Sequence, residues 1–233
     1  MFIKEFWRCF RATSTIFSMN DINAVTKALY GEYPSLECGL ESGDDPFRLL
    51  IMAILSAQCT DKRVNIVSGP LFERFPDAKS IAESKEGELE EYIRSVGLYN
   101  SKAKSIRACC KTLVEKFNGV IPSEMDDLLT LGGVGRKVAN LIRGDVFGLG
   151  GIVADTHLIR ITNRLGFVSS TDPYVVERTL DPLVPKELQS GFSHRLVHFG
   201  REVCSARNPK CSVCFLNSKG LCDYKEKTNG GNK

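Results

Sequence analysis

Three groups of side chains in this sequence are fit for chemistry. Lys137 lies in L-L-T-L-G-G-V-G-R-K-V-A-N, residues 128–140, beside Arg136 and two positions after Gly135. A lysine is nucleophilic only when unprotonated, and at its ordinary pKa of about 10.4 under roughly 0.1% is so at neutral pH. A helix N-terminus, a neighbouring guanidinium and partial burial each disfavour the ammonium, so this setting predicts an amine for covalent catalysis. A solvated lysine or a phosphate contact is the alternative reading. Asp155 follows eighteen residues later in A-D-T-H. An aspartate ahead of a helix is an N-cap worth ~1 kcal/mol. Placed where positive charge develops, the same carboxylate stabilises it. The two roles are compatible, one oxygen capping while the other faces the site. The third group is Cys204, Cys211, Cys214 and Cys222, spaced C-x6-C-x2-C-x7-C. Four thiolates in one short loop suit tetrahedral zinc or a [4Fe–4S] cluster, and the first gap is long for a zinc ribbon.

Positioning these groups falls to helices. Leu128, Leu129 and Leu131 close a short one, Gly132, Gly133 and Gly135 allow a hairpin with positive φ, and a second helix opens at Arg136. Its first turn carries unpaired N–H groups and the positive end of the dipole, which favours a phosphate. Gly133, Gly135 and Arg136 are therefore candidate phosphate contacts, joined by Arg207 and Lys210 in the first cysteine loop. Strand signals are nearly absent, and the fold class is all-α. Helices are predicted over 47–57, capped by Asp45 and buried nearly all round, and over 61–75, 81–96 and 101–117. Three more are predicted over 156–165, 173–180 and 186–203, with Asp155 and Asp172 as N-caps. Glu83, Glu86, Glu88, Glu90 and Glu91 form a solvated acidic face on the 81–96 helix.

The 233 residues are 42% hydrophobic and 25% charged with a net charge of +3, which permits a nucleic-acid partner without requiring one. The most apolar run is too short to span a bilayer. Residues 1–18 interleave Phe2, Phe6, Trp7, Phe10 and Phe17 with Lys4, Arg8 and Arg11. That pattern suits an amphipathic helix, a targeting segment or translated sequence upstream of Met19. Cys9, Cys38, Cys59, Cys109 and Cys110 are scattered and read as small buried hydrophobes, in a reducing compartment.

The glycine hairpin, the A-D-T-H segment and the four-cysteine tail occur together in this order. With L-S-A-Q-C-T-D (55–61), G-L-Y-N-S-K-A (97–103) and Y-K-E-K (224–227), they make the sequence resemble the endonuclease III family of helix-hairpin-helix DNA-repair glycosylases, from about residue 20 to 227. The resemblance implies two helical lobes with a DNA groove between them. One is a barrel over 37–147 containing the helix-hairpin-helix (124–146); the other combines 20–36 with 148–225 and the cluster loop (204–222). An extension (1–19) and a polar tail (226–233) flank them. It further implies a DNA glycosylase and abasic-site (AP) lyase acting on oxidised or ring-saturated pyrimidines. Lys137 takes the place of the nucleophile and Asp155 that of the catalytic carboxylate. Gln58 and Leu98 match residues that enter the duplex, Asp61 and His157 lie near the pocket, and the four cysteines hold a [4Fe–4S] cluster. The implied partner is double-stranded DNA carrying damaged bases or abasic sites, bound by a monomer with no membrane contact. The implied location is the cytoplasm or nucleoid, with organelle targeting open through the extension. An adenine or oxidised-guanine glycosylase of the same fold is the alternative enzyme, although relatives that remove adenine from mispairs lack a lysine here. A non-catalytic DNA-binding module is the alternative outside enzymes. Three departures stand out: Gly132 replaces the family's usual proline, the last cysteine gap is longer than usual, and Ala154 replaces a valine.

Overall fold

Apolar spacing sorts the helices of this chain into two cores. The structure, a computed structural model, describes residues 19–224, so the expectations for 1–18 and for the polar tail fall outside it. Regular structure among the described residues is entirely helical. In chain order the helices are α1 (Met19–Glu32), α2 (Pro46–Leu55), α3 (Asp61–Arg74), α4 (Ala78–Ala82), α5 (Glu88–Ile93) and α6 (Tyr99–Phe117). There follow α7 (Met125–Leu129), α8 (Arg136–Asp145), α9 (Thr156–Arg164), α10 (Pro173–Leu180), α11 (Lys186–Glu202) and α12 (Phe215–Ser218). None of them is long and apolar enough to cross a membrane.

The first core is built around α2, in which every residue from Leu49 to Leu55 is buried. Asp45 starts that helix by accepting hydrogen bonds from the Phe47 and Arg48 amides at 2.9 and 3.1 Å. Pro46 occupies the first turn, where a missing N–H costs nothing. Residues of α3 to α8 complete this core. The second core joins Ile22, Val25 and Leu29 of α1 to apolar faces of α9, α10 and α11. Between the two runs an extended segment whose successive side chains point in opposite directions: Ile152 and Ala154 enter the second core, while Val153 enters the first. That segment delivers Asp155.

The helix expected over 81–96 is broken in two. Residues 83–87 leave the helix, and Gly87 turns the chain with φ +94°. Arg107 of α6 holds the break open. Its guanidinium donates to Ser84 Oγ at 3.2 Å, to the Lys85 carbonyl at 3.2 Å and to Glu90 Oε1 at 2.8 Å. Glu90 thus belongs to a half-sheltered ion pair and not to a solvated acidic face. The Arg107 hydrogen bond, opposed in part by desolvation, holds its carboxyl below the usual carboxylate range. Arg107→Ala strands that carboxylate and two loop acceptors, so a loss of about 2 kcal/mol is expected in denaturant unfolding. A midpoint unchanged from wild type would show that water replaces the guanidinium at no cost.

Candidate active site

The hairpin between α7 and α8 is shaped by its glycines, though not in the way their number suggests. Only Gly133 has a positive φ, +77°. Gly135 is extended and serves as the N-cap of α8. Gly132 is required for space: a Cβ there would lie 2.7 Å from the Ser105 carbonyl oxygen and 2.9 Å from the Cys109 amide nitrogen, both backbone atoms of α6. Helix α6 therefore sits against the hairpin where the family usually carries proline. Reinstating it, as Gly132→Pro, is expected to cost about 1–3 kcal/mol through overpacking. An unaltered melting temperature would mean that α6 yields freely.

Lys137 stands exposed on the first turn of α8. Asp155 caps α9, its Oδ1 accepting the Leu158 amide hydrogen at 2.8 Å. The second oxygen is not left facing the site alone, because His157 Nδ1 donates to Oδ2 at 2.9 Å. His157, which sequence reasoning placed only near the pocket, thereby fixes the carboxylate. Burial would raise the Asp155 carboxyl. The His157 hydrogen bond, the Leu158 amide, the charge of His157 and the Lys137 ammonium together outweigh it and hold the group below the usual carboxylate range. Lys137 and Asp155 line one cavity of about 180 Å³, together with Ser56, Asp61, Leu141 and Arg201. Arg201 Nη2 reaches Asp61 Oδ2 at 2.9 Å across that cavity's wall, tying α11 to α3.

Three side chains absent from the expected set hold lysine and aspartate in register. Asn140, one helical turn after Lys137, donates to the Ile152 carbonyl at 3.0 Å from a buried position. Gly151 passes so close to α8 that a Cβ would lie 2.4 Å from the Asn140 carbonyl oxygen. From the other side, Gln189 and Ser193 of α11 accept the Gly151 and Val153 amide hydrogens at 2.8 and 3.1 Å. The segment leading to Asp155 is thus pinned between α8 and α11. Asn140 sits inside the hairpin motif, so its spacing from Lys137 was visible in the sequence, but its acceptor was not.

Arg136 differs from expectation. Its Nε donates to Glu177 Oε2 at 2.9 Å, its Nη2 pairs with Oε1, and its guanidinium stacks 5.1 Å from the Tyr174 ring centroid. A guanidinium committed to a buried carboxylate of α10 ties the two cores together and is not a free phosphate ligand. Gly133, Gly135, Arg207 and Lys210 are exposed.

Gln58 and Leu98 both occupy the left-handed region, with φ of +52° and +59°. Non-glycine residues there carry roughly 1–3 kcal/mol of strain each, a cost that clusters at functional sites. Both are exposed, Leu98 at 60%. Their loops are neighbours, since a Cβ on Gly97 would lie 3.8 Å from the Gln58 carbonyl oxygen. Lys102, buried in α6, donates from Nζ to the Leu55 carbonyl at 2.9 Å and so fixes the end of α2 from which the Gln58 turn departs.

The cysteine loop hangs from α9. Arg164 donates to the Cys204 sulfur at 3.1 Å and to the Ser205 and Ala206 carbonyls at 2.7 and 3.1 Å, while Arg160 reaches the Cys204 carbonyl at 3.0 Å. Cys204, Cys211, Cys214 and Cys222 line a common small cavity with these elements. Burial pushes the Cys222 thiol up, and its three companions add to the effect. The loop does not stand apart from the core: Leu216 is buried in it, and Phe215 meets Phe199 at 5.3 Å between ring centroids. The donor set fits an iron–sulfur cluster.

Comparison with known proteins agrees with this arrangement. Residues 51–186 match the HhH-GPD superfamily of base excision DNA repair proteins. Residues 204–218 match the iron–sulfur binding domain of endonuclease III. Endonuclease III of Synechocystis sp. is 45% identical over 185 residues, 79% of this chain and 84% of that protein. The Escherichia coli endonuclease III is 38% identical over 195 residues, 84% of this chain and 90% of the relative. An endonuclease III trapped as a covalent intermediate with DNA superposes with a TM-score of 0.83 at 40% identity, covering 90% of this chain and 97% of that one. On these matches in sequence and fold, the chain belongs to the endonuclease III family of DNA glycosylases and abasic-site lyases.

Proposed function

We propose that this enzyme releases oxidised or ring-saturated pyrimidines from duplex DNA and cuts the strand 3′ of the abasic site, with Lys137 as nucleophile. The observation that carries the reading is the shared cavity: an exposed lysine at a helix start and a carboxylate held ionised line the same walls. A glycosidic carbon is unreachable inside stacked DNA, so the damaged nucleotide must first leave the helix, at a cost of a few kcal/mol that is smaller for a non-planar base. Gln58 and Leu98, exposed on adjacent turns of positive φ, then fill the space it vacates. The unprotonated Lys137 amine attacks C1′, and the C1′–N bond breaks with its electron pair leaving on the base. Ring opening gives an imine between lysine and sugar. Loss of a C2′ proton then expels the 3′ phosphate, and water hydrolyses the imine to free the lysine. Asp155 stabilises the cationic sugar as the base departs.

DNA is held through phosphates by the exposed Gly133 and Gly135 amides and by Arg207 and Lys210, giving largely sequence-independent and salt-dependent affinity. Cys204, Cys211, Cys214 and Cys222 hold a [4Fe–4S] cluster, which supplies loop structure when bound. The protein acts as a monomer. Duplexes carrying single lesions, incubated under borohydride, test the proposal. A covalent adduct on saturated thymine, mapping to Lys137, is expected. Adenine release from a mispair without an adduct would instead favour the adenine-removing reading, and binding without base release a non-catalytic module.

A further inference from the structure

One cluster of metal-ligating side chains lies outside this chemistry. Cys38 on the α1–α2 connection, Asp145 at the end of α8 and His194 on α11 each present one ligand atom, and these atoms lie within 4.8 Å of one another. His194 Nε2 is 2.9 and 3.0 Å from the two Asp145 oxygens. Ser190 donates to Asp145 Oδ1. Cys38 was expected to be a buried hydrophobe; it is instead partly exposed, beside a carboxylate and an imidazole.

One sulfur, one imidazole nitrogen and one carboxylate oxygen form a borderline-soft donor set, which suits zinc rather than calcium or magnesium. Bonds of about 2.0–2.3 Å put tetrahedral ligand atoms about 3.3–3.8 Å apart, so closing the trio onto a cation takes side-chain shifts of about 1 Å. Room for a fourth ligand is present. Cys38 and His194 line both the cavity that contains Lys137 and Asp155 and a larger one of about 780 Å³ bounded by Asp145 and Ser190. Ser190 already orients Asp145, as an outer partner of a metal ligand does.

We propose that Cys38, Asp145 and His194 bind one zinc-class divalent cation with an open water position, clamping the end of α8 to α11 beside the lysine cavity. Binding breaks the Cys38 S–H bond, forms a metal–thiolate bond and releases the proton to solvent. The proposal is independent of the lesion specificity above.

Cobalt(II) titration of the full-length protein with its iron–sulfur cluster intact tests it. One cobalt per chain is expected, with a thiolate-to-cobalt charge-transfer band that added zinc abolishes and with iron content unchanged. Cys38→Ser should remove the band, and Ser190→Ala should weaken binding roughly 10–100-fold. Zinc-edge X-ray absorption on the unsubstituted protein gives a second reading that no folding defect can blur: one sulfur with nitrogen and oxygen neighbours. No binding, four sulfurs around zinc, no sulfur at all, or a cobalt band indifferent to Cys38→Ser would each overturn the proposal.

Discussion

Lys137→Gln is expected to eliminate strand cleavage and the borohydride adduct, and to lower single-turnover base release by roughly 10⁴-fold or more. The effect is large because no other lysine lines the cavity. Lys102, the other lysine whose contacts bear on this region, is spent on the Leu55 carbonyl. Stability should barely change, within about 0.5 kcal/mol, since Lys137 is exposed and glutamine is a comparable helix former. DNA binding should persist through the hairpin amides and the cluster loop. Single-turnover kinetics with a lesion duplex, paired with a thermal melt, read both quantities. An adduct surviving in this variant would move the nucleophile elsewhere.

Asp155→Asn separates the two roles of the carboxylate. Asparagine caps a helix about as well as aspartate, so the Leu158 amide keeps its acceptor and stability at neutral pH should fall by no more than about 1 kcal/mol. The negative charge that stabilises the departing sugar is gone, and turnover should drop by about 10²–10⁴-fold. Affinity for DNA should hold or rise, because a negative charge has left a phosphate-facing groove. The pH dependence has a definite sign. Burial opposes ionisation of Asp155, but the His157 hydrogen bond, the Leu158 amide, the charge of His157 and the Lys137 ammonium lower its folded-state value. A depressed carboxyl stabilises the fold above its unfolded value of about 3.9, and that contribution is lost as pH falls through the lower folded value. Melting curves of wild type and variant should therefore converge as pH falls below about 4. Equal turnover in the variant at neutral pH would reduce Asp155 to a cap.

What the sequence determined by itself was whatever is settled within a few residues. Asp45, Asp155 and Asp172 cap helices because their acceptors meet amides two or three positions on. The apolar run of α2 is buried on every side because it offers water nothing to bind. Four cysteines in one loop announce a metal or cluster because their spacing alone brings them together. The tertiary structure decided everything that depends on a partner far along the chain. Gly132 is glycine because α6 lies against it, a fact written at positions 105 and 109. Arg136 is a tie between cores because Glu177 comes to meet it, and the helix over 81–96 breaks because Arg107 reaches into it. Cys38, Asp145 and His194 share no motif and meet only after three elements pack. A cap or a periodic face is a local free-energy minimum, whereas a buried polar group takes whichever donor or acceptor the packing of both cores delivers.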